Sequence, residues 1–301
     1  MYRAILALIE FGGEAVAETM GKKPFLTEEK FTGDGNESLR LYIVGYESGT
    51  WRLEQWVKHT FRDHLLTFGL SYSEIQDFGT GNAANKMANA AKQVYSTDKY
   101  QRRGEFGELF LHGILIDFFN AEPAISKIFY LDTANETAKG FDSVHVVEDD
   151  GELTLWLGEA KLYKSAEGGV DEAAKSVEEH LSDEYLRGEF LAITNKIDRA
   201  WPRAEQLADL LDDARSLDEI IDKIKIPILL TYNSSATSLY TELSDDYILE
   251  VKNDALDLLK RLKQELDSEI PVEVLLLLIP VTAVEEVRKA CHEKLKVYQS
   301  L

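Results

Sequence analysis

Three segments of this chain, ELTLWLGEAKLY (152–163), KIPILLTYN (225–233) and VEVLLLLIPV (272–281), are largely apolar on both faces of an extended backbone. A strand of that kind has to be covered above and below, so the spacing predicts an α/β sheet sandwiched between helices. The intervening stretches supply the helices. A long charged helical region is expected over 170–199, a second helix over 245–268, and a last one running to the C-terminus. Upstream lie a strand at LRLYIVGY (39–46), helices over 51–66, 83–95 and 103–120, a strand over 126–132 and the strand FDSVHVVE (141–148). Asp150-Gly151 between FDSVHVVE and ELTLWLGEAKLY is a hairpin turn signal, placing those two strands side by side and antiparallel.

Of the 301 residues, 45% are hydrophobic and 29% charged, which supports a large packed core and excludes a disordered chain. The single cysteine, Cys291, excludes an intrachain disulfide and a cysteine-based zinc site. No run is long and apolar enough to span a bilayer, and MYRAILALIEFGGE lacks the basic start and cleavage site of a signal peptide. The expected location is therefore the cytoplasm, with no membrane contact. A net charge of −21 means that little is gained by neutralising phosphates, so naked DNA should be captured poorly without a partner or a bound metal.

Against this background ELTLWLGEAKLY holds two charges where burial is expected. Residues two apart in a strand share a face, so Glu159 and Lys161 project together. Left unpaired in a core they would cost several kcal/mol, on the order of a third of a domain's stability. Folding the hairpin carries Asp142, at the start of its strand, to the sheet edge where Glu159 lies near the end of the partner. The helix over 103–120 is apolar on most sides but carries Glu105, Glu108 and His112 on one stripe. Three acids from three elements are the oxygen set that Mg²⁺ takes, and Lys161 beside them is placed to orient a water and to stabilise phosphate charge. His112 reads as a core histidine, and the acids of 170–191 read as a solvated helix face. Lys99, Arg102 and Arg103 form the tightest basic cluster, just before the acid-bearing helix. With Lys164, they are the candidates for nucleic-acid contact.

A helix bearing a glutamate, then a strand with an Asp, then Glu-x-Lys resembles the PD-(D/E)xK nuclease superfamily. The matching positions are Glu108 (or Glu105), Asp142 and Glu159-Ala160-Lys161, with Phe141 where the superfamily has proline. The wider text, VGYESGTWR, AAKQVYSTDKYQRRGEFGELFLH, GFDSVHV and LGEAKLY in that order, is similar to the HamA family of Hachiman antiphage defence systems. The resemblance implies a restriction-endonuclease-like mixed sheet flanked by helices. It also implies an N-terminal α/β elaboration (1–100) packed on a nuclease core (101–301). By the same resemblance the protein is a Mg²⁺-dependent deoxyribonuclease, with Mn²⁺ as a substitute, restrained by a superfamily 2 helicase like HamB. Asp142, Glu159, Glu108 and the Ala160 carbonyl would hold metal, and Lys161 would position the attacking water. Two alternatives stay open at this level: a non-catalytic partner-binding module on the same fold, and a structure-specific or RNA-cleaving nuclease.

Overall fold

The computed structural model describes residues 23–31, 37–95, 104–125, 140–149, 151–266 and 270–301. Strands β1 (Thr27–Phe31) and β2 (Glu37–Ile43) open the chain and pair antiparallel. A small hairpin, β3 (Tyr46–Glu47) and β4 (Thr50–Trp51), turns through Gly49 at φ +76°. Helices α1 (Leu53–Gly69), α2 (Ala83–Val94) and α3 (Glu105–Phe119) follow. Then come β5 (Glu122–Pro123), β6 (Ser143–Asp149) and β7 (Glu152–Tyr163). Helices α4 (Ala166–His180) and α5 (Asp183–Lys196) lead to β8 (Ile224–Asn233). Helix α6 (Asp245–Glu265), β9 (Glu273–Val281) and α7 (Val284–Gln299) complete the fold.

Seven strands form one mixed sheet in the order β1-β2-β9-β8-β7-β6-β5, parallel from β2 to β7 and antiparallel at both margins. The three runs that were apolar on both faces, β7, β8 and β9, lie together in its middle. Leu153, Leu155 and Leu157 of β7 pack with Val170 and Val177 of α4 and Phe190 of α5 on one face. Trp156, Ala160 and Leu162 pack on the other, with Trp56 of α1, Phe106 and Phe110 of α3, and Cys291 of α7. The chain before residue 95 supplies two strands of this same sheet, β2 running parallel to β9 from Glu37↔Val274 to Leu41↔Leu278. Among the described residues no helix is long and apolar enough to cross a membrane.

The hairpin lies where its turn signal put it, with Asp149 opposite Glu152 and Gly151 at φ +83°. The strand expected over 126–132 lies outside the described residues. The charged helical region expected over 170–199 consists of two helices, α4 and α5. Ser182 is extended (φ −65°, ψ 144°) and starts the second, with Asp183 and Glu184 in the first turn where the helix dipole favours acids.

The core contains a polar pair behind β6. His112 Nδ1 lies 3.0 Å from His145 Nε2, and His112 Nε2 lies 2.9 Å from Thr67 Oγ1, with both rings 2% exposed. His112 is thus a hydrogen-bonded core residue. Burial holds both imidazoles neutral: it pulls His145 down to about 3, and His112 falls well below its usual value through burial and then the neighbouring His145 and His64. The unfolded chain, with a histidine near 6.5, therefore takes up protons that the fold excludes as pH drops. Stability from this source is complete above about pH 6.5 and is lost toward pH 3; at pH 5 the loss for His145 alone is about 2 kcal/mol. Urea unfolding at pH 7 and pH 5 should show this loss in the wild type and a smaller one in His145→Gln. The same loss in both proteins would rule this origin out.

Candidate active site

The β6–β7 ladder runs from Asp149↔Glu152 to Ser143↔Gly158 and stops. β7 continues to Tyr163 beside β8, from Glu159↔Ile228 to Tyr163↔Tyr232. Among the described residues no strand pairs with the other edge of β7 from Glu159 onward, where Arg288 donates to the Leu162 carbonyl. Asp142, the residue just before β6, closes the first step of that edge: its Oδ2 accepts the Ala160 N–H at 2.8 Å. N–H and C=O of one strand residue point to the same side, so the Ala160 carbonyl faces that edge too.

Continuing the register by one residue sets Asp142 opposite Glu159, on the face toward α4. Glu159 is 4% exposed and accepts from Lys161 Nζ at 2.6 Å. Lys161 Nζ also donates to Ser176 Oγ of α4 at 3.4 Å. The two charges within an apolar strand thus answer each other, which removes most of the penalty of burying either alone. Burial works against the charge on Lys161, but Glu159, and then Asp142, outweigh it and raise its pKa, so the amine stays protonated.

Helix α5 adds two groups that the sequence reading missed. Tyr185 stacks on His180 of α4 (centroids 4.4 Å, 16° apart) and meets Phe141 edge-on. Burial raises the Tyr185 hydroxyl's pKa, and the negative charges of Glu189, Glu159 and Asp142 raise it further. Glu189 is 7% exposed, so the acids of 170–191 are not all a solvated face as expected. The signal was available: Leu186, Glu189, Phe190 and Ile193 fall on one i, i+3, i+4 stripe, and all four are buried.

Helix α3 lies on the opposite face of the sheet. A Cβ on Gly107 would sit 3.5 Å from Ala160 Cβ and 3.8 Å from Leu162 Cβ, both on the side away from Glu159 and Lys161. Of the two acids in its first turn Glu108 is buried, at 7% exposure, and Glu105 half-buried. The expected convergence of Glu108 with Asp142 and Glu159 is not reached as a tight set: among the described residues, the three-residue group with ligand atoms all within 4.8 Å of one another is His59, His64 and Asp117. The fold brings together Asp142, Glu159, Ala160 and Lys161.

Of the candidate nucleic-acid contacts, Lys99, Arg102 and Arg103 lie outside the described residues. Lys164 is on the surface and ion-paired to Glu285 at 2.5 Å. A cavity of about 620 Å³ opens beyond the ends of β7 and β8. It is lined by Lys164, Lys260 and Arg261 but also by Glu167, Asp254 and Asp257, so its charges balance and it offers phosphates no net attraction.

The family model described as HamA matches residues 22–295 of the chain. No curated protein matches it.

Proposed function

Since the chain belongs to the HamA family of Hachiman antiphage defence proteins, we propose that it is a metal-dependent DNA nuclease that hydrolyses phosphodiester bonds under the control of a superfamily 2 helicase like HamB. The observation that carries this reading is the cluster at that edge of β7: two facing carboxylates, a main-chain carbonyl and a protonated lysine.

The donor set fits the metal that such a reaction takes. Asp142, Glu159 and the Ala160 carbonyl are hard oxygen donors, suited to Mg²⁺ or Mn²⁺, and the chain's cysteine is buried elsewhere in the core. When bound, the ion supplies Lewis acidity toward the phosphate and a bound water of lowered pKa. The remaining work belongs to the protein. Lys161 is held as a cation, so it serves as a hydrogen-bond donor and a positive charge rather than as a base. Two of its three N–H bonds point to Glu159 and Ser176, which leaves one for a phosphate oxygen or the attacking water. Asp142 is held at the edge of β7 by the Ala160 N–H. A net charge of −21 and a balanced surface cavity support delivery of DNA by the helicase rather than capture by this chain alone.

Supercoiled plasmid provides the test. The wild-type protein with its helicase should nick it in Mg²⁺ or Mn²⁺ and stop on chelation, and Asp142→Asn should leave it supercoiled. Undiminished nicking by Asp142→Asn, or none by the wild-type pair with either metal, would refute the assignment.

A further inference from the structure

Away from the carboxylate–lysine cluster, α1 and α3 bring three metal-ligating side chains to one point. His59 Nε2 and His64 Nε2 both approach the same oxygen, Asp117 Oδ2, at 3.5 and 3.2 Å. A tetrahedral ion with bonds of about 2.0–2.1 Å holds its ligand atoms about 3.3 Å apart. The two observed separations bracket that value, and all three ligand atoms lie within 4.8 Å of one another. A cavity of about 10 Å³, room for one ion or water, lies among His59, His64, Asp117, Trp56 and Leu26.

The surroundings orient the ligands. Asp63, one turn on from His59, accepts from His59 Nδ1 at 2.8 Å and is gripped by Arg62. A carboxylate only accepts, so His59 either donates to Asp63 and Asp117 from both ring nitrogens or keeps its proton on Nδ1 and presents the Nε2 lone pair to an ion beside Asp117. An ion that replaces the Nε2 proton meets the same donors, and a carboxylate behind the histidine is the arrangement that fixes metal-bound imidazoles. Phe25 covers the His59 ring at 5.4 Å between centroids. Gly113 on α3 lets the helices close: a Cβ there would fall 2.9 Å from His64 Cδ2. His64 Nδ1 is buried without a partner, so His59 is the better supported ligand. The side chains of His59, His64 and Asp117 are 12%, 5% and 23% exposed, which leaves one side for a water as fourth ligand.

We propose that His59, His64 and Asp117 bind a divalent transition-metal ion, with Zn²⁺ the best match to two imidazoles and one carboxylate, as a staple joining α1 to α3. The site is separate from the proposed nuclease centre and does not rest on it. Sequence alone does not single it out: residues five apart on a helix lie roughly 140° apart around its axis, so His59 and His64 form no familiar helical metal motif.

The test strips the full-length protein with chelator and titrates it with Zn²⁺, and with Co²⁺ followed by visible absorption. Asp142→Asn serves as the background in which the carboxylate cluster is disabled. The expected result is one Zn²⁺ per chain and a tetrahedral Co²⁺ spectrum in both the wild type and Asp142→Asn. Both signals should weaken by ~100-fold or more in His59→Gln and Asp117→Asn, and by about 10–100-fold in Asp63→Asn, where the ligands themselves are intact. Circular dichroism confirms that each variant is folded, and Asp63→Asn decides the matter where a ligand variant is not. Three results would overturn the proposal: no Zn²⁺ uptake by the wild type, unchanged affinity in folded His59→Gln and Asp63→Asn, or a Co²⁺ spectrum lost only with Asp142.

Discussion

Lys161→Ala is expected to lower plasmid cleavage by about 10²–10³-fold, the usual cost of removing one fixed donor to charge that develops in a transition state. The residue is held in place from two sides, by Glu159 at 2.6 Å and Ser176 at 3.4 Å. The substitution also leaves Glu159 buried without its cation. The accompanying loss of stability should be about 2 kcal/mol, below the ~3–5 kcal/mol of a fully buried pair, because the Lys161 side chain keeps 15% exposure. Cleavage assays and urea unfolding on the same preparation separate the two effects. A folded Lys161→Ala protein that cuts at the wild-type rate would remove Lys161 from the chemistry. Loss of cutting explained wholly by unfolding would leave it a structural role.

The largest stability effect is expected far from that site, at the crossing of α1 and α2. A Cβ on Gly69 would lie 2.7 Å from both Ala90 Cα and Ala90 O, and these are backbone atoms that cannot swing aside. Gly69→Val should therefore force the helices apart and cost about 3 kcal/mol, at the upper end for overpacking a core. Gly188 makes the opposite case. It lies exposed within α5 with nothing within 4 Å of its would-be Cβ, so Gly188→Ala should stabilise by about 0.5–1 kcal/mol through helix propensity alone. Denaturation midpoints of the two variants moving in opposite directions is the check. A neutral Gly69→Val would mean that the two helices are free to shift.

Local pattern was enough for part of this molecule. Strand β7 spans Glu152–Tyr163, the same bounds as the apolar run, because a segment apolar on both faces has few other stable places to go. Alternation placed Glu159 and Lys161 on one face, and the Asp150-Gly151 signal put β6 beside β7, with Asp142 brought to the edge where it accepts the Ala160 N–H. The sequence by itself thus determined the sheet's centre and the heart of the candidate site. It left undetermined which helix covers which face. Every residue of α3 from Phe106 to Leu115 is buried, so its periodicity says nothing about the side that meets the sheet, and the structure puts Gly107 there, against Ala160 and Leu162. The meeting of Tyr185 with Phe141, and of His59 and His64 with Asp117, were decided in the same way, by contacts between segments remote in sequence. Strand and helix periods report each residue's own element. The distance between two side chains on different elements is set by crossover connections and by the packing of whole faces, and only the tertiary structure contains that.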